Sequence, residues 1–371
     1  MSTAAVCNGG RSGRRAGALI PALIAAALGA PGAQAAAACV AAPPPSAAAV
    51  AAWVATPPAE AAQARTVLHT EGTLPHQGLR DQSIAAKRDF SYMRDLALAW
   101  RFNHDHAALE QLGAYLDAWT RTYRLSFNPI DETGFDDLID AYALAAPALP
   151  EAVRQRTRRF LADMADGYLD QMAQHRSDPQ GIWTNNWQSH RVKLAAMATA
   201  AIGDHARLAK ARAAFVRQLD ANVLRGGEVM DFGQRDALHY VVYDLEPLTR
   251  AALAAEGAGE DWTRLKGASG QTLGTALDWL EPYAAGRKTH EEYVHTSVRF
   301  DLQRREAGEP GFSGLWDPKS AAGLYWTASA LEPGYLPTAR ALSPSPPRWL
   351  WAAAPPCGQG GLQAPPGAGS R

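Results

Sequence analysis

The sequence predicts an all-α protein. Apolar residues recur at three- and four-residue spacing through most of the chain, Pro and Gly punctuate the gaps, and no alternating pattern reads as a strand over successive segments. Eight to twelve helices joined by short loops follow. Their apolar stripes are broad enough for each helix to pack on two neighbours, and no heptad is present. Such an array closes readily into an incomplete (α/α)n toroid of helical hairpins, although packing alone does not select that over a bundle or a solenoid.

Taken in order, residues 1–35 read as a signal peptide. Arg11, Arg14 and Arg15 precede an Ala/Leu/Ile run, and Ala33-Gln34-Ala35 supplies small residues for cleavage. The run is too short to span a bilayer as a mature helix. The expected destination is the periplasm or the medium. Residues 36–62 are an Ala/Pro-rich linker. The folded domain is expected over 63–342. Ala107–Thr122 places Leu109, Leu112, Leu116 and Trp119 on one face, and Glu151–Met172 does the same with Val153, Phe160, Leu161, Met164 and Tyr168. Helical stretches at 193–202, 206–223, 235–253 and 270–280 follow. The tail, 343–371, carries Pro344-Ser345-Pro346-Pro347 and is expected to be irregular, without a core of its own.

Charge is balanced, 36 basic against 37 acidic residues, so a strongly basic face for nucleic acid is not indicated and no nucleic-acid partner is expected. Of three cysteines, Cys7 leaves with the signal peptide. Cys39 and Cys357 bracket the mature chain, free to pair in an oxidising compartment or to remain thiols. There is no C-x-x-C pair, no H-E-x-x-H and no carboxylate box, so no metal site and no cofactor is expected.

Three segments concentrate functional groups. The first is Trp183-Thr184-Asn185-Asn186-Trp187-Gln188-Ser189-His190-Arg191. An Asn here can cap the following helix. That explains one Asn, but not two Asn with Gln, His and two Trp. Asn186, at a helix start, can also donate its amide to a carboxylate. The second segment holds Arg235, His239 and Tyr243 at four-residue spacing. On one helix they drift only about 40° per step and form a single stripe, with Tyr240 beside it; a buried, hydrogen-bonded stripe is the alternative. The third, Trp279-Leu280-Glu281-Pro282-Tyr283 followed by Arg287, Lys288 and His290, is either a lining for an anionic groove or a solvated loop.

Asn185-Asn186, then Tyr240-x-x-Tyr243-x-Leu245-x-Pro247-Leu248, then Trp279-Leu280-Glu281-Pro282-Tyr283, together resemble the alginate lyase superfamily of helical toroids. The resemblance runs over about residues 85–330. It implies a polysaccharide lyase acting on an anionic partner, a 1,4-linked uronic-acid polymer such as alginate or glucuronan, by β-elimination. It puts Asn186 at the carboxylate-neutralising position and Tyr243 at the proton-transferring one. Two positions depart from the pattern. Trp187 stands where the family has His, leaving His190 and His239 to supply an imidazole. Asp236 stands where the family has Arg, and Arg235 is one residue earlier. Asn185, Trp187, Tyr240, Lys288 and His290 complete the expected binding set. Elimination needs the C5 proton removed, the resulting enediolate neutralised by amide, imidazole or guanidinium donors, and a proton given to the leaving O4. A tyrosine suits either proton transfer if nearby cations lower its pKa. A glycoside hydrolase using two of Asp131, Glu132, Asp136 and Asp137, and a non-catalytic glycan-binding protein, remain the competing readings.

Overall fold

The computed structural model describes residues 38–178 and 181–358. The expected signal peptide and the last thirteen residues lie outside that range. In chain order the helices are α1 (Ala47–Val54), α2 (Arg80–Asn103), α3 (His106–Thr122), α4 (Phe135–Ala145), α5 (Glu151–Gln174), α6 (Asn186–Ala201), α7 (His205–Asn222), α8 (Met230–Arg235), α9 (Leu238–Gly257), α10 (Leu273–Ala284), α11 (Arg299–Glu306), α12 (Ala322–Leu331), α13 (Leu336–Leu342) and α14 (Leu350–Ala353). Among the described residues there is no β-strand, only isolated bridges such as Val40 with Pro356 and Glu291 with Leu315. No described helix is long and apolar enough to cross a membrane.

The helices form an all-α toroid. α2, α4, α6, α9 and α12 pack in succession, while α3, α5 and α7 pack behind them. α6 shows why. Residues 192–199 are buried on every side, and Ala195, Ala196 and Ala198 let the neighbours approach closely. A helix apolar all round belongs inside a larger array, and alanine is the best helix former. Elsewhere buried polar groups pin the layers. Trp119 Nε1 donates to Asp89 Oδ2 at 2.8 Å, and the same oxygen accepts from Gln63 N at 2.6 Å.

Both flanks are more ordered than their composition suggests. Within the Ala/Pro-rich segment, Ser46 caps α1, and Val50 is buried. In the tail, Leu350 and Trp351 of α14 are buried, and α14 packs on α2 and α4. Up to residue 358 the tail is less irregular than its composition suggests, because Trp349, Leu350 and Trp351 supply large apolar surface to a core built by other helices. Cys39 and Cys357 form a disulfide, with Cα atoms 4.9 Å apart.

Candidate active site

The expected single helix over 235–253 is broken. Arg235 ends α8, Asp236 takes a left-handed conformation (φ 50°), and α9 starts at Leu238. Aspartate tolerates that region better than most residues. The break is held from a distance. The Asp236 carbonyl accepts from Tyr293 N at 2.7 Å and from His290 Nε2 at 2.9 Å. Glu292 accepts from Leu238 N and His239 N, capping α9 from another part of the chain, and burial pushes its pKa up to about 7. Arg235, His239 and Tyr243 therefore do not form one helical stripe, yet all three line the same cavity.

That cavity, about 410 Å³, also takes in Asn186, Trp187 and Tyr240. Asn185 caps α6, its side chain accepting from Trp187 N at 3.1 Å, so the capping reading accounts for it. Asn186 is fixed by Asp231, which accepts from its backbone N (2.7 Å) and its Nδ2 (2.6 Å). An amide carries two N–H donors, so one stays available to the cavity. Asp231 is held up at about 6 by burial, against the pull of Asn186 and Arg235. Arg235 is bonded to Asp301 and lies 3.8 Å above the Tyr240 ring.

His190 lies elsewhere. It faces a second cavity of about 310 Å³ that meets the first at Thr133 and Tyr243. Its ring packs 4.4 Å from the Tyr243 ring. Lys193 Nζ donates to Thr133 Oγ1 at 2.8 Å, and the same hydroxyl is hydrogen-bonded to His190 Nδ1 at 2.7 Å. Burial, with Lys193, holds the His190 pKa well below its usual value, opposed by Asp136 and by the Tyr243 backbone. The Tyr243 carbonyl is open to this contact because Pro247, inside α9, has no N–H to give it. No full hydrogen bond closes at Nε2. His190 thus braces Tyr243 from behind.

The protonation states sort the remaining groups. Burial pushes the Tyr243 phenol up, with Tyr240 adding to it and Arg304 opposing. The expected lowering by nearby cations does not occur, because desolvation outweighs them, and the phenol is neutral. Burial, Arg304 and Arg235 lower His239 to about 4, leaving a neutral imidazole on the cavity wall. Burial also lowers Lys87 to about 8, against the pull of Asp131.

Lys288 and His290 do not reach the cavity. Lys288 is exposed, 5.3 Å from the Tyr283 ring, and His290 serves the helix break. The cavity's other cations, Arg80, Lys87 and Arg304, were not singled out from sequence. Arg80 and Lys87 both belong to α2 and Arg304 to α11, more than two hundred residues on, so no local pattern joins them. The four carboxylates of a possible hydrolase are committed to structure. Asp131 accepts from Thr70 N and Glu71 N (2.6 and 2.9 Å), and Glu132 from Tyr123, Ser126 and Tyr168. Asp136 pairs with Lys193, and Asp137 with Arg94. Among the described residues no group of three His, Cys, Asp or Glu side chains is arranged to hold a metal ion.

A profile of the family described as alginate lyase matches residues 40–290, well over half of the chain. The chain belongs to the alginate lyase family. It is accordingly a polysaccharide lyase. An alginate lyase from Bacteroides ovatus superposes with a TM-score of 0.52 at 16% identity, over 73% of this chain and 72% of that one, and so shares the fold. Alginate lyase A1-III from Sphingomonas species A1 superposes with a TM-score of 0.45 at 19% identity, over 63% of this chain and 68% of that one. No curated protein sequence matches this alginate lyase family member.

Proposed function

We propose that this lyase cleaves 1,4-linked uronic-acid polymers, alginate or glucuronan, by β-elimination in the cavity beside Tyr243. One observation carries the reading. A neutral imidazole and a neutral phenol border the same cavity as the Asn186 amide and the ammonium of Lys87. In this mechanism Lys87 and Asn186 neutralise the uronate carboxylate as it takes on enediolate charge. His239 removes the C5 proton, the electron pair forms the C4–C5 double bond, the bond from C4 to the glycosidic oxygen breaks, and Tyr243 protonates that leaving oxygen. Tyr243 suits the acid role because its phenol starts protonated.

Export to the periplasm or the medium belongs to the same proposal. The leader pattern in residues 1–35 and the Cys39–Cys357 disulfide, which an oxidising compartment permits, support it. The test is incubation with alginate, glucuronan and hyaluronan, following the unsaturated uronate by its absorbance at about 235 nm. Absorbance rising with alginate or glucuronan is the expected result. New reducing ends without absorbance mean hydrolysis, and binding without either signal means a glycan-binding protein; both outcomes defeat the proposal.

A further inference from the structure

Two of the cavity's arginines face a carboxylate that fits them poorly. Glu309 reaches across the cavity, with Oε1 3.7 Å from Arg80 Nη2 and Oε2 3.7 Å from Arg304 Nε. Both separations exceed the reach of a hydrogen bond, about 3.2 Å. Glu309 Oε1 and Arg304 Nε are buried, yet neither has a hydrogen-bond partner among the described residues. Arg235, which makes a long pair with Asp231 at 3.6 Å, has a second, close carboxylate in Asp301; Arg80 and Arg304 have only Glu309 among the described carboxylates.

The arginines do not depend on Glu309 for their positions. Arg80 Nη1 donates to the Thr73 carbonyl at 2.6 Å. Arg304 Nη1 donates to Tyr240 Oη at 3.0 Å, and its guanidinium lies 4.5 and 5.0 Å from the Phe300 and Phe312 rings. The backbone holds Glu309 in turn: its N donates to the Arg304 carbonyl at 3.0 Å, through a turn in which Gly308 has a φ of 69°. Two aimed guanidiniums therefore face a carboxylate that spans them without satisfying either. Arg304 and Glu309 also lie beyond the residues matched by the family profile.

We propose that Glu309 is a resident stand-in for a substrate carboxylate: the uronate neighbouring the cleaved unit displaces it and takes Arg80 and Arg304 with full hydrogen bonds. A mobile sugar carboxylate can adopt the close geometry that a tethered glutamate misses. The inference rests on the lyase reading and sharpens it. Productive substrates carry uronates on adjacent units, and polymers with isolated uronates bind less well.

The experiment is calorimetric titration in the Tyr243→Phe background, so that ligand is not consumed. The ligands are an all-uronate trisaccharide and a trisaccharide with one uronate. Glu309→Gln is expected to tighten the all-uronate ligand about five-fold and the single-uronate ligand less than two-fold. Adding Arg80→Gln is expected to abolish the gain. Glu309→Asp, which withdraws the carboxylate by one methylene, is expected to move affinity in the same direction by less, and it covers the case of a misfolded Gln variant. With Tyr243 restored, KM for polyuronate falls more than kcat changes. Affinity unchanged or weaker in both Glu309 variants overturns the proposal. Tightening without any absorbance product from the restored enzyme overturns the lyase reading instead and leaves the role of Glu309 standing.

Discussion

The two cavities that meet at Tyr243 hold similar charges and use them differently. In the inner one, Arg94 is closed by both oxygens of Asp137 and by Asp95. The three protons of Lys193 go to the Thr133 carbonyl, the Thr133 hydroxyl and Asp136. Arg250 is bonded to Asp140 and lies 4.4 Å above the Trp349 ring. In the outer one, Lys87 donates to Thr70 Oγ1, and Arg80 and Arg304 share an ill-fitting Glu309. A saturated cation is scaffold, since any ligand must first break its pair. An under-coordinated one is already desolvated and aimed, and gains on meeting an anion. Between Arg94 and Lys193 on one side and Lys87, Arg80 and Arg304 on the other, the difference is how closely carboxylates meet the donors, not which residue type stands there; Arg250, closed by Asp140 but with its Nε unpartnered, lies between.

The sharpest break in the comparison is at the shared wall. Tyr243→Phe is expected to lower kcat by about 10³ while changing oligouronate affinity less than two-fold, since it removes a proton donor and little else; steady-state kinetics with calorimetry separates the two. On the scaffold side, Arg250→Met strands Asp140 and is expected to cost about 3–5 kcal/mol of stability in urea denaturation. Activity per folded molecule should be retained; lost activity in a folded protein would mean that the inner cavity also binds substrate. On the binding side, kcat/KM should follow a bell. It rises through about pH 4 as His239 becomes neutral and falls above about pH 8 as Lys87 loses its charge. Lys87→Met should lower the plateau and erase the alkaline limb.

The smallest effect concerns buried carboxyls. Burial raises Glu246, in the inner cavity, and Glu292 to about 7. Between their unfolded pKa and about 7 each of these two carboxyls binds more protons in the folded protein than in the unfolded chain, so each contributes stability as pH is lowered from 7 toward 5, on the order of 1 kcal/mol. His190 and His239, kept neutral by burial, oppose them, since the unfolded chain's imidazoles take up protons below about 6.5. Carboxyls held low by partners, such as Asp166 and Asp204 beside Arg207, act in the opposite sense only at lower pH. Glu246→Gln should lower stability near pH 5 relative to pH 7 in a series of thermal melts; an unchanged slope would leave Glu292, Asp231 and Asp137, which burial also raises, as its sources.

Much of the fold was legible because helical periodicity is local. Among the described residues nine helices of ten or more residues stand within the expected eight to twelve, and five short ones add to them. The Asn185 cap was legible because capping is local, and so was the four-residue spacing of His239 and Tyr243 on α9, though not its extension back to Arg235. The break at Asp236 was not, since its cause is Glu292 and His290, more than fifty residues away. Lys288 and His290 looked like binding groups because a charged loop carries no sign of which way it faces. Arg80, Lys87 and Arg304 come from α2 and α11, elements that meet only in the folded chain. The phenol's charge state was misjudged because desolvation, which opposes cations, is invisible until burial is known.

The Cys39–Cys357 bridge, with Val40 paired to Pro356, turns the segment between the two cysteines into a covalent ring. A single proteolytic nick in any surface loop of that ring leaves one connected molecule rather than two fragments. Tension on the two ends is carried by sulfur, past the helices, so tethering the enzyme by either terminus leaves the groove unloaded.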